Sequence, residues 1–130
     1  MNTLKNTSRG FSLVEVLAAV SIIGVIAFIF IPNIVKVKAD SEENVAISRA
    51  EAINMAIASY VQASGRLAAN TNWSSQPNDS SRYILAAPFL AYAPSVLADY
   101  MPTGYSIDLP DDIATLSKVT LTGPEGTISY

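Results

Sequence analysis

From Val16 to Val35 the chain carries no charge, and Phe11 to Ile31 is apolar or small apart from Ser12, Glu15 and Ser21. As a helix, Phe11 to Ile31 spans about 31 Å at ~1.5 Å per residue, enough to cross a bilayer core of about 30 Å. One acid, Glu15, lies near its start. An ionisable group inside such a stretch costs on the order of a few kcal/mol, so it marks function and needs a partner. Lys5 and Arg9 precede the apolar stretch but lie outside it. If the chain were cut after Gly10, the new ammonium of Phe11 would stand one helical turn from Glu15. It could pair with Glu15 in its own chain or in a neighbour.

Two ordinary explanations fit less of this pattern. A secretory signal has an apolar centre of about 7 to 15 residues followed by a small-residue cleavage site. Here the run is longer, and the passable triplet Val37-Lys38-Ala39 lies beyond it, past Lys36. An unprocessed signal anchor accounts for the length but not for Glu15. Orientation by charge is nearly tied, with Lys5 and Arg9 on one side and Lys36 and Lys38 on the other. The free amino terminus tips the balance toward a cytoplasmic leader, and a longer domain can translocate whatever its charge.

The run Gly10-Phe11-Ser12-Leu13-Val14-Glu15 resembles the class III signal of type IV prepilins and of type II secretion pseudopilins. The resemblance implies cleavage after Gly10 by a membrane-bound prepilin peptidase and methylation of the new amine on Phe11. It further implies an assembly role for Glu15, neutralising the terminal amine of an adjacent subunit. Gly24 and Pro32 fall where many members carry helix-loosening residues. The implied organisation is a leader over 1–10, a transmembrane and assembly helix over 11–35, and a small exported domain over 36–130. The N-terminus is then inside and the domain outside. The implied partners are other pilin or pseudopilin subunits, the prepilin peptidase, an inner-membrane assembly platform and membrane lipid.

Composition agrees with one small exported domain of about 95 residues beyond the apolar helix. The formal charge is −3, and losing Lys5 and Arg9 with the leader leaves six basic against eleven acidic residues, a net −5. That balance argues against nucleic acid binding by bulk charge, which needs a basic face, and no nucleic acid partner is expected. Cysteine and histidine are both absent, so no disulfide staples the domain, and the common nucleophile–base pairs and zinc sites cannot be built. Many type IVa pilins carry a C-terminal disulfide loop, so this chain departs from them and sits closer to a pseudopilin, a minor pilin or a distant lineage. No catalytic residues and no cofactor are expected. The rival readings are a signal-anchored envelope protein with a non-filament binding role, a tethered enzyme or sensor, and an adhesive or DNA-uptake minor pilin.

Past the apolar run, Ala46, Ala50, Ile53, Ile57, Tyr60, Val61 and Ser64 form one stripe at helical spacing. Arg49, Glu51, Asn54 and Gln62 fall largely off it, and Gly65 is a plausible stop. One helix from about Phe11 to Ser64, with a kink near Pro32, is expected; alternatively Asp40-Ser41-Glu42-Glu43 caps a second helix as a capping box. Ala68 to Arg82 reads as a polar loop that Trp73 pins to the domain, and Asn72-Trp73-Ser74 is a sequon of the kind that occurs by chance. Pro88 breaks the apolar segment Tyr83 to Tyr100, and Pro94 suits the first turn of a short helix ending near Tyr100. Tyr105 to Leu109, Val119 to Thr122 and Thr127 to Tyr130 read as strands, the last two joined by the turn Gly123-Pro124-Glu125-Gly126. The fold class is α+β: a long N-terminal helix, transmembrane in its first half, packed on a small antiparallel sheet.

Asp108, Asp111 and Asp112 are a candidate calcium site, since calcium takes six to eight oxygens and some major pseudopilins bind it in a C-terminal loop. The same residues also fit a helix N-terminus or a solvated turn.

Overall fold

A computed structural model describes residues 10–130. The expected leader, with Lys5 and Arg9, lies outside the described residues except for Gly10. The chain divides into two compact units, Met1–Ala39 and Asp40–Tyr130. Helix α1, Leu13–Ser64, runs through both.

In the first unit every described residue of α1 is exposed, including Phe28 at 83%. Over residues 16–35 this helix carries no charge on any side and, apart from the turn before Pro32, satisfies its own backbone, which is what a hydrocarbon environment demands. Ser21 fits that rule, because its hydroxyl donates to the Leu17 carbonyl at 2.8 Å. Pro32 lies inside the helix, where it supplies no N–H to the turn before it, yet the residues on both sides remain helical. Asp40 to Glu43 also lie within α1, so they cap no second helix.

In the second unit the predicted stripe is the core face of α1. Ala46, Ala50, Ile53, Ile57, Tyr60 and Val61 are buried, joined by Ala56, whereas Ser64 is exposed. Small alanines at the start of the stripe let the rest of the domain approach closely, and the larger Ile53 and Ile57 fill its centre. Against them pack α2 (Arg66–Ser74), α3 (Asp79–Ala86), a short 3-10 turn at Ala87–Phe89, and α4 (Leu97–Tyr100). The sheet is antiparallel in the order β1 (Ser106–Asp108), β2 (Thr120–Gly123), β3 (Gly126–Ile128). Its register pairs Ile107 with Leu121 and Leu121 with Ile128. Ile107 and Leu121 are buried in the same cluster as the α1 stripe, which gives the expected α+β arrangement.

Two local expectations are corrected. Most of the span expected as a loop, Ala68 to Arg82, is helical, and only a short connection separates α2 from α3. Helix α2 buries just Ala69 and Trp73, four apart on one face, so its single apolar contact line is hidden among Asn, Thr and Ser. Helix α3 is started by Asn78, whose side chain accepts the Ser81 N–H at 3.0 Å. Pro94, in turn, lies outside α4, and its carbonyl instead accepts the Tyr83 hydroxyl at 3.0 Å. Pro88 does end α3, by forcing the 3-10 turn that follows.

Candidate assembly site

The residues on which an assembly role is expected lie at the start of α1. Gly10 and Phe11 precede the helix, and Phe11 is 90% exposed. Ser12 is the N-cap: its carbonyl accepts the Val16 N–H at 3.2 Å and its hydroxyl accepts the Val14 N–H at 3.3 Å. Glu15 reaches back, and its Oε2 accepts the Ser12 N–H at 2.9 Å. This is a capping box, in which the N-cap and the acid three residues later each satisfy a backbone donor that the helix cannot. Sequence reasoning places such a box at Asp40 to Glu43 and misses it at Ser12 to Glu15, where Ser-x-x-Glu followed by an apolar run is the available signal. Gly24 lies in the middle of the apolar stretch, and a Cβ added there would meet nothing within 4 Å.

The C-terminal acidic segment is used differently from the calcium expectation. Among the described residues no group of three acidic side chains converges to hold a metal ion. Asp111 pairs with Arg82 at 2.7 Å, and Asp112 accepts the Ala114 N–H at 2.6 Å, a local turn bond. Asp108 stands exposed on β1. Asp108, Asp111 and Asp112 thus have separate surroundings.

That segment is instead strapped down by α2 and α3. Trp73 is buried and its Nε1 donates to the Pro110 carbonyl at 2.7 Å, so it pins the domain as expected, though from a helix. Asn70 accepts the Ile113 N–H at 3.0 Å, and Asp79 accepts the Leu109 N–H at 3.0 Å while pairing with Arg82 at 3.0 Å. The Arg82 side chain, 11% exposed, bridges Asp79 on its own helix and Asp111 on the segment. These polar contacts tie residues 109–113 to the helices in a chain with no cysteine.

Comparison with known proteins addresses the N-terminus. Residues 5–31 match the family model of the prokaryotic N-terminal methylation motif, which is characteristic of type IV pilins and pseudopilins. Among curated proteins and solved structures, none gives a significant match. The matched motif belongs to a structural family and not to an enzyme family, and it points in general to other pilin-type subunits and the prepilin peptidase as partners. Among the described residues α1 is the helix long and apolar enough to cross a membrane. Together with the motif it fits a protein anchored in the inner membrane.

Proposed function

We propose that the chain is the precursor of a structural filament subunit, either of a type IV pilus-like fibre or of a type II secretion pseudopilus. Prepilin peptidase cuts between Gly10 and Phe11 and methylates the new amine of Phe11. Before assembly the subunit sits in the inner membrane through helix 11–35, with its N-terminus in the cytoplasm and residues 36–130 outside. An assembly platform then lifts it from the lipid into a filament whose core is a bundle of these apolar helices. Gly24 and Pro32 loosen the helix for that transfer. Glu15 meets the terminal amine of a neighbouring subunit and sets register and charge balance.

The observation that carries this reading is the coincidence of the methylation motif with an apolar helix exposed on every side and bearing one carboxylate at its start. A helix of that kind needs lipid or other apolar helices around it, and a filament core supplies the second after the first is left behind.

The test is mass spectrometry of the N-terminal peptide from protein made in its native host, combined with shearing of Glu15→Ala cells. A mature start at methylated Phe11, with the Glu15→Ala subunit held in the membrane and largely missing from sheared filaments, is the expected result. An intact Met1 would make the protein an unprocessed anchor, and a start at Asp40 would make it an ordinary secreted protein.

A further inference from the structure

Glu15 has an occupation in its own helix before it meets any neighbour. Its carboxylate holds the Ser12 N–H, and Ser12 in return holds the Val14 N–H. Both bonds lie on the C-terminal side of the Gly10–Phe11 peptide, so they survive removal of the leader. In hydrocarbon no water is available for the free donors of a first turn, and each unsatisfied group costs several kcal/mol. The same place is the positive end of the helix dipole, where a carboxylate is favoured. The box therefore answers two needs with one pair of side chains: it closes the first turn of α1 and it keeps the acid beside the end of the helix.

We propose that Ser12 is a positioning residue for Glu15, so that incorporation into filaments depends on the capping box as well as on the acid's charge. This rests on the filament reading given above. Oε2 serves the Ser12 N–H. A carboxylate offers about four acceptor positions, so a second donor such as a terminal ammonium is accommodated without dismantling the box. Held this way, the carboxylate presents one geometry to an incoming amine. Alanine at position 12 keeps the backbone N–H that Glu15 accepts but loses the hydroxyl that holds the Val14 N–H, so the first turn frays and the acid is held in it less firmly.

The box separates charge from position by chemistry. Glutamine closes a capping box as glutamate does but carries no charge, and threonine replaces serine as an N-cap with little loss, whereas alanine does neither. Ser12→Ala, Ser12→Thr, Glu15→Gln and Glu15→Ala are expressed in the native host. Each is scored for cleavage and methylation by mass spectrometry and for the sheared, filamentous fraction.

Ser12→Ala is expected to be cut and methylated like the parent chain yet to enter filaments about fivefold less, the ratio that loss of an N-cap carries. Ser12→Thr restores the parent level, and Glu15→Gln falls between the parent and Glu15→Ala. The proposal is overturned if Ser12→Ala assembles at the parent level while Glu15→Ala does not, since charge alone then suffices. It is overturned equally if Glu15→Gln fails as fully as Glu15→Ala, or if Ser12→Ala stays uncut, which would move the loss to the peptidase. Normal assembly of Glu15→Ala, or an intact Met1 in the parent chain, would instead remove the filament reading beneath it.

Discussion

The side-chain oxygen of Asn54 on α1 accepts the backbone N–H of Val119 at 2.9 Å, across 65 positions of sequence. Val119 is also held from the other side, because its carbonyl accepts the Tyr130 hydroxyl at 2.7 Å. Asn54 Nδ2 reaches Tyr130 Oη at 3.4 Å and Glu51 Oε2 at 3.3 Å, while Lys118 Nζ bonds Glu51 Oε1 at 2.7 Å and the Tyr130 carbonyl at 3.0 Å. Since β2 begins at Thr120, both backbone groups of the residue that leads into the central strand are fixed from side chains. Asn54 on α1 and the C-terminal Tyr130 thus fix the residue that leads into β2.

Asn54→Leu is expected to destabilise the chain by about 1–3 kcal/mol, the usual loss when a buried N–H is left without its acceptor. Val119 is 3% exposed, so water does not replace the missing oxygen. Asn54→Asp keeps an acceptor and is expected to lose less. Urea unfolding of the detergent-solubilised full chain, followed by the fluorescence of its one tryptophan, measures both. Equal losses would show that the acceptor is not what Asn54 contributes.

The pH response of the same network has a definite sign on each side. The Lys118 ammonium, with help from Asn54, holds the Glu51 carboxyl below its ordinary value. The stability it lends is present above the unfolded carboxylate pKa and is lost as pH falls through the lower folded one. Burial pushes the Tyr130, Tyr100 and Tyr83 phenols above their ordinary value of 10.0. Their contribution is present below pH 10.0 and disappears as pH rises through the higher folded values, because the folded state must keep them neutral. A urea midpoint that falls above about pH 10 and recovers in part in Tyr130→Phe checks the alkaline side. Glu51→Gln, which has no carboxyl to titrate, should flatten part of the decline at low pH.

What can be read from sequence follows from which signals are periodic. The α1 stripe from Ala46 to Val61 repeats at helical spacing and is buried, and the Gly123 to Gly126 turn fixes the terminal hairpin. The N-terminal signal is legible because its residues are contiguous. Helices α2 and α3 are not, since their few apolar contacts sit among polar residues and much of their support comes from the tertiary packing of Trp73 and Tyr83. Asn54, Arg49 and Glu51 fall off the core face in sequence and in structure, but their use has no signature because their partners lie far along the chain. Arg49, for instance, donates to the Tyr100 carbonyl and lies over the Tyr100 ring. Polar contacts at such separation leave no local pattern.

Trp73→Phe isolates the strap that holds residues 109–113. Phenylalanine keeps the ring inside the core but has no N–H for the Pro110 carbonyl, so a loss of about 0.5–1.5 kcal/mol plus a small packing penalty is expected. Trp73→Ala removes the ring and its packing on Tyr60, and about 3–5 kcal/mol is expected. Thermal unfolding by circular dichroism of the solubilised chain reads both variants. A Trp73→Phe variant as stable as the parent would leave the hydrogen bond without energetic weight.

Leu116 has φ 51, in the left-handed region that bulky side chains rarely adopt, at a half-exposed turn where its N–H bonds the Ile113 carbonyl at 3.2 Å. Asparagine tolerates that region far better. Leu116→Asn is expected to raise stability by about 0.5–1 kcal/mol, the left-handed penalty reduced by the apolar surface that the leucine covers. A lower urea midpoint for this variant would mean that the leucine side chain outweighs its backbone strain.

Gly65 supplies the opposite case. It joins α1 to α2 with φ 79 and ψ 140, a combination that is close to glycine-only. A Cβ placed there would meet nothing within 4 Å, so packing does not enter and the backbone alone decides. Holding a non-glycine residue in such a conformation costs about 1–3 kcal/mol. Against that, alanine narrows the unfolded ensemble and returns about 0.4–1 kcal/mol. Gly65→Ala should therefore destabilise by about 0.6–2 kcal/mol, the low and high ends of the first range less those of the second. Because α2 carries Asn70 and Trp73, the loss should extend to the strap: hydrogen exchange at the Ile113 amide, bonded to Asn70, is expected to quicken along with the fall in urea midpoint. A fall in midpoint with Ile113 exchange tracking only global unfolding would confine the effect to the α1–α2 junction, and no fall at all would mean that alanine re-forms the turn by another route.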